Sequence, residues 1–191
     1  MKKKPFIIGF VSCLLLVSII LVVGFLFLKK EREEMLLKDN SKELETLNYS
    51  IIDLDNNDIS NLSFNDINGK KIALDEEQVI FINFWATWCM PCIAEMPSIK
   101  ELSKSNDTKN SFVKFILATE DSKEKILKFE EKKQFNFNYS TFNKISLPKF
   151  MNHNMIPTTY LIDKKNLLCY KFEGTVNYNS VLFKKFLLSL K

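Results

Sequence analysis

Two cysteines separated by two residues, Cys89-Met90-Pro91-Cys92, are the reactive feature of this 191-residue chain. Thiols three apart at the start of a helix share one face, with Cα atoms about 5–6 Å apart, the separation a disulfide needs. Such a pair opens and closes with little backbone movement. A helix N-terminus adds unpaired N–H groups and a partial positive charge, which stabilise a thiolate. Cys89 is therefore expected to be the exposed nucleophile and Cys92, one turn deeper, the resolving thiol. Pro91 suits the first turn, where its missing N–H costs nothing. A zinc ribbon would need a second cysteine pair, but Cys13 lies in an apolar run and Cys169 stands alone. A permanently closed structural disulfide across so small a loop would add little stability. Redox chemistry is the reading that remains.

The elements that must position this pair follow from apolar patterning. Val79–Trp85 (VIFINFW) is a short, nearly continuous apolar run, as expected of a central strand buried on both faces. A helix over Cys89–Lys104 follows, with Ile93, Met96, Ile99 and Leu102 as its apolar stripe. Phe112–Ala118 is the next buried strand, and Ser122 opens a helix through Lys133. A short helix is predicted over Ile145–Asn152. Thr158–Ile162 and Leu167–Phe172 form a hairpin around Asp163-Lys164-Lys165-Asn166, and a last helix spans Tyr178–Leu190. Upstream, Tyr49–Leu54 and Ile59–Phe64 flank Asp55-Asn56-Asn57-Asp58, which predicts an opening hairpin. The fold class is α/β, a mixed central sheet with helices on both faces.

Composition narrows the chemistry. Apolar residues make up 46% and charged ones 26%, too apolar for a disordered chain. Of the four glycines, Gly9 and Gly24 lie in the N-terminal apolar run, so Gly69 and Gly174 alone cannot build a phosphate loop. A single histidine, His153, excludes a His-rich metal site and disfavours a His-dependent hydrolase. Setting aside Lys2, Lys3 and Lys4 leaves 24 basic residues against 23 acidic ones, with no electrostatic footprint for nucleic acid.

Phe6 to Leu28 is an uncharged apolar run of 23 residues, long enough at about 1.5 Å per residue to cross a hydrocarbon core of roughly 30 Å. It ends at Phe27-Leu28-Lys29-Lys30 rather than at small residues, which favours an uncleaved anchor over a signal peptide. Ser12-Cys13 is a poor lipoprotein signal, because Phe10 sits three before the cysteine and the apolar run continues beyond it. Lysines flank the run on both sides, so charge does not orient it. The expected organisation is a membrane anchor at 1–28, a charged stalk at 29–48 and a folded domain at 49–191.

The stretches FINFWATWCMPCIAEMP (81–97) and IPTTYLIDKKNLLCYKFEG (156–174) resemble the thioredoxin superfamily, and most closely its membrane-anchored TlpA/ResA-like branch. The resemblance covers about residues 49–191. It implies a thioredoxin-like fold and thiol–disulfide exchange outside the cytoplasm, tethered to the cytoplasmic membrane through residues 6–28, with no cofactor and no metal. It also implies a cis Ile156–Pro157 bond, with Ile156 and Pro157 in the substrate-binding surface together with Trp88. Partners would be disulfide-bearing proteins, apocytochrome c among them, and a membrane electron donor that restores the reduced state.

Two departures from the superfamily pattern carry information. Many thioredoxins have an acidic residue six positions before the first cysteine, where this chain has Asn83. An amide cannot accept the proton of Cys92. Glu95, three after Cys92 on the same face, takes over as the candidate catalytic base, partly buried and with a raised pKa. His153-Asn154-Met155 before Ile156 is the second departure, and it bears on substrate preference. A copper(I) metallochaperone is the alternative function, with His153 as the available third ligand beside the two thiolates. Otherwise His153 is expected at the surface or in a turn, Trp85 in the core, and Cys169 as a small buried residue in a strand.

Overall fold

The computed structural model describes residues 22–31, 49–54, 59, 62–74, 79–105 and 112–190. The chain divides into two units, Met1–Leu44 and Glu45–Lys191. In the first, residues 22–31 are helical. No helix among the described residues is long and apolar enough to cross a membrane. The anchor expected at 6–28 and the stalk at 29–48 lie mostly outside those residues.

The second unit is built on one mixed sheet. Its strands are β1 (Tyr49–Asp53), β2 (Asn65–Asp66), β3 (Val79–Phe84), β4 (Val113–Thr119), β5 (Tyr139–Thr141), β6 (Thr158–Asp163) and β7 (Leu168–Glu173), in the order β1-β7-β6-β3-β4-β5-β2. β3 is central, parallel to β4 and antiparallel to β6. All six of its residues are buried, which is why its sequence is a continuous apolar run rather than an alternation. Successive side chains still take opposite faces. Val79 and Phe81 join one core, Ile80, Ile82 and Phe84 the other. The parallel β3 and β4 both deliver the chain to the same end of the sheet, where the cysteine pair lies.

Three helices follow the strands: α1 (Met90–Lys104), α2 (Lys123–Lys133) and α3 (Val181–Ser189). Met96, Ile99 and Leu102 of α1, Ile126 and Phe129 of α2, and Phe183 and Leu187 of α3 all enter the core on the Phe81 face. The expectation of helices on both faces holds in reduced form, with the α-helices on this face and only short 3-10 helices on the other. Among the described residues the second face is covered by extended chain carrying Leu54, Leu62 and Phe64, and by Met151, Leu147 and Phe150. The helix expected over Ile145–Asn152 is instead two 3-10 turns, Lys144–Ser146 and Lys149–Met151. Pro148 separates them, because the residue before a proline is driven out of helical geometry, and Leu147 is extended at φ −76°, ψ 141°. The last helix starts later than expected, at Val181, since Ser180 caps it by accepting a bond from Phe183 N–H at 3.1 Å.

Among the described residues the expected opening hairpin is not seen. β1 pairs with β7 at one edge of the sheet, with Leu54 N–H bonded to Leu167 O at 2.8 Å. Ile59 and residues 62–64 carry no strand, and β2 joins β5 at the opposite edge. The intervening chain buries Leu62 and Phe64 against the sheet instead of pairing with β1. The turn predicted at 55–58 lies outside the described residues, and a further turn is seen at 66–70. Asp66 accepts from Asn68 N–H and Lys70 N–H at 2.8 and 2.9 Å, and Gly69 takes φ +85°, a left-handed conformation that favours glycine.

Candidate active site

Cys89 and Cys92 form a disulfide with a Cα–Cα distance of 5.3 Å, the separation expected for two thiols three apart on a helix. Cys89 occupies the N-cap of α1, and its Sγ accepts from Cys92 N–H at 3.2 Å. That donor belongs to the unpaired first turn, so the same contact and the helix dipole stabilise a Cys89 thiolate once the disulfide opens. Cys92 lies within the helix and 1% exposed. Cys89 is not the exposed cysteine expected, since in the disulfide it is only 4% exposed. Its neighbours stand out instead, Trp88 at 71% and Met90 at 70%. The loop that leads into the pair is held from the bend that follows β4, because Thr87 N–H donates to Asp121 Oδ2 at 2.7 Å.

Beneath the cysteines lies a buried polar network. The alternation of β3 aims Asn83 at α1, and the β3–β6 register sets Thr159 directly opposite it. Asn83 Nδ2 donates to Glu95 Oε1 at 2.7 Å and to Thr159 Oγ1 at 2.9 Å. Tyr178 OH donates to the same Thr159 oxygen at 2.6 Å. Glu95 Oε2 accepts from Val176 N–H at 3.1 Å. Burial raises the Glu95 pKa to about 7, and the bonds from Val176 and Asn83 to the charged form pull against that rise. The sequence expectation of a partly buried carboxyl is exceeded, for Glu95 is 2% exposed.

The Ile156–Pro157 bond is cis, as the resemblance implies. Pro157 leads directly into β6, and its carbonyl accepts from Gly174 N–H at 2.9 Å. Trp88 and Ile156 line one cleft of about 170 Å³, together with Phe84, Phe142, Glu120 and His153. His153 is not the surface residue expected. It is buried, stacked on Phe84 with ring centroids 4.3 Å apart, and its Nδ1 pairs with Met151 O at 2.9 Å. That carbonyl can only accept, so Nδ1 carries the proton, and burial depresses the imidazole pKa further from the charged form. Trp85 is a core residue between Phe129 and Tyr139, and Cys169 is fully buried in β7, where burial pushes its thiol up to about 12.

The structure thus gathers Cys89, Cys92 and Glu95 on α1, and Trp88 with Ile156 at one cleft. The residues that sequence reasoning missed are Thr159, Tyr178 and the structural use of Asn83. The pairing register that unites them is a long-range property of the sheet. Tyr178 had only the signal of a residue at the head of a helix.

A disulfide at the head of a helix leaving the central strand of a mixed sheet defines a thioredoxin-like fold and a thiol–disulfide oxidoreductase. The chain belongs to the AhpC/TSA family, whose model matches residues 52–177. It is similar to the thiol-disulfide oxidoreductase ResA of Bacillus cereus (strain ZK / E33L), 32% identical over 117 residues, which cover 60% of this chain and 66% of that one. It is also similar to the thioredoxin-like protein YneN of Bacillus subtilis (strain 168), 29% identical over 117 residues, 60% of this chain and 68% of that one. The match spans about two thirds of the length of these relatives. Among solved structures, a thiol:disulfide interchange protein of the thioredoxin family from Chlorobium tepidum TLS shares the fold at TM-score 0.55 and 17% identity, over 66% of this chain and 92% of that one.

Proposed function

We propose that this chain is a membrane-anchored, extracytoplasmic reductant of protein disulfides, acting through the Cys89/Cys92 dithiol with Glu95 as proton acceptor. The observation that carries the mechanism is the Glu95 carboxyl, buried one turn after Cys92 with its pKa near 7. In the reduced enzyme the Cys89 thiolate attacks one sulfur of a substrate disulfide. A mixed disulfide forms and the first substrate thiolate leaves. Cys92 sits deeper, so desolvation keeps its thiol protonated and unreactive until a base takes the proton. Glu95 accepts it, the Cys92 thiolate attacks Cys89 Sγ, and the second substrate thiolate departs. The product is the disulfide seen here.

Trp88, Ile156 and Pro157 form the substrate surface in this reading. The exposed Trp88 adjoins Cys89 in the chain and shares the cleft with Ile156. Residues 6–28 supply the anchor, supported by their length and lack of charge. Extracytoplasmic space is oxidising, so the working cycle needs a membrane electron donor. Substrates are disulfides of other proteins, and the resemblance to the ResA-like branch makes apocytochrome c the first to test.

The test is resolution of a preformed mixed disulfide by the Glu95→Gln variant. Loss of the base slows this step about tenfold or more, at the low end of general-base effects, and removes one ionisation from the pH–rate profile. A wild-type rate across pH 5–8 would leave Glu95 as a helix-face charge and send the proton through water.

A further inference from the structure

The side chain of Asn83 is bonded at one end only. Its Nδ2 touches both Glu95 Oε1 and Thr159 Oγ1, while Oδ1 is buried with no partner. Buried polar atoms without partners are uncommon and call for a reason. The two ends of an amide are nearly the same size and are exchanged by a half-turn of the side chain. Where both ends are bonded, that rotation breaks bonds on both sides. Here the far end has none to lose.

Which end suits the site depends on Glu95. An ionised carboxylate only accepts, and needs the amide N–H. A neutral carboxyl carries an O–H, and needs an acceptor. Thr159 fits either orientation, because a hydroxyl can accept from the N–H or donate to the carbonyl. Tyr178 OH donates to Thr159 in both, and full burial together with the nearby Glu95 raises its own pKa well up, keeping it a donor. Three hydrogen bonds join Tyr178, Thr159, Asn83 and Glu95 in each arrangement. Val176 N–H holds the second carboxyl oxygen throughout.

We propose that Asn83 is a positioning residue whose amide turns over when Glu95 takes up a proton, so that the carboxyl keeps its partner and its place in both ionisation states. The proposal rests on Glu95 as the proton acceptor of the dithiol. The titratable groups facing Glu95 are Cys92, one turn back on α1, and Tyr178 from the segment before α3. β3 and β6 contribute the neutral Asn83 and Thr159, and among the described residues no lysine, arginine or histidine acts on the carboxyl. An aspartate at position 83 could not serve in this way. It has no N–H to offer, and when ionised it would face a second carboxylate.

Isotope-labelled full chain with the disulfide closed provides the test, by NMR between pH 5 and 9. The Glu95 carboxyl carbon reports its ionisation. Contacts from the Asn83 amide protons to Thr159 are expected above that midpoint and lost below it, and the amide resonances move with the same midpoint. Amide–Thr159 contacts that persist once Glu95 is protonated would overturn the proposal. A second measurement uses Asn83→Asp, which should move the Glu95 midpoint up by at least one pH unit. A Glu95 midpoint that Asn83→Asp leaves in place would indicate a merely structural role. The two ideas separate cleanly. Wild-type resolution by Glu95→Gln with a turning amide removes the base and leaves the amide switch, whereas a fixed amide beside a slow Glu95→Gln removes the switch alone.

Discussion

Replacing Glu95 by glutamine should stabilise the oxidised chain at high pH and leave it nearly unchanged at low pH. The carboxyl titrates near 4.5 when the chain is unfolded and near 7 in the fold, chiefly because burial disfavours its charged form. A group whose folded pKa is raised contributes its full stability below the unfolded value and loses it as pH rises through the folded value. Below pH 4.5 the carboxyl is neutral in both states and costs nothing. Above pH 7 the fold must hold a buried charge. The shift of about 2.5 units corresponds to about 3 kcal/mol at 1.36 kcal/mol per unit, and the near-complete burial of the side chain leaves no reason to discount it for solvent screening. Glutamine has almost the same shape, stays neutral, and can still accept from Val176 N–H. Urea unfolding of both proteins at pH 4.5, 6 and 8 measures the difference. The gap should be within about 1 kcal/mol at pH 4.5 and widen to about 3 kcal/mol in favour of glutamine at pH 8. A gap that is constant across this range, or one that narrows as pH rises, would refute the claim that desolvation governs Glu95. The more stable variant is also the one expected to be slow, so the fold gives up stability at neutral pH to keep an ionisable group beside Cys92.

Cys92→Ser should accumulate mixed disulfides through Cys89, visible as reductant-sensitive adducts on non-reducing gels, while Cys89→Ser should form none. Preferential trapping through position 92 would reverse the two roles. Cys169 should resist alkylation in the folded chain at pH 8, because burial pushes its thiol pKa to about 12, and react only after denaturation. Labelling at the rate of a free thiol would show that β7 opens readily. The full chain should remain with membranes after carbonate washing and keep residues 1–28. A soluble mature form starting beyond residue 28 would remove the anchor.

The site was legible where chemistry depends on neighbours in sequence. The cysteine spacing, the strand before it and the helix after it are local, and so is the placement of Glu95 one turn beyond Cys92. The sheet edges were not legible. β1 reads as one half of a hairpin because its partner, β7, lies far along the chain, and alternation marks an extended segment without naming what it pairs with. Residues 62–64 keep the apolar character of a strand because Leu62 and Phe64 cover a sheet face, not because they lie in a ladder. Asn68-Gly69, a turn signal the structure does use, lies well downstream of the predicted one, which falls outside the described residues. His153 looked like a turn residue by type, and only tertiary packing against Phe84 buries it. Asn83 was recognised as a departure, yet its use depended on the register that brings Thr159 beside it.

The parallel course of β3 and β4 has a practical side for anyone who wishes to watch this protein work. Val79 and Val113 mark the entry of the two strands, Phe84 and Thr119 their exit toward the disulfide. Five strand steps at about 3.3 Å each separate entry from exit by about 17 Å, roughly twice the distance over which exposed charges feel one another at physiological ionic strength. A fluorophore or affinity tag placed toward the entry ends of these strands therefore stays beyond the electrostatic reach of the disulfide. Reporters placed there should leave the redox midpoint of the cysteine pair where it is, whereas the same group beside Glu120 would sit at the cleft proposed to receive the substrate.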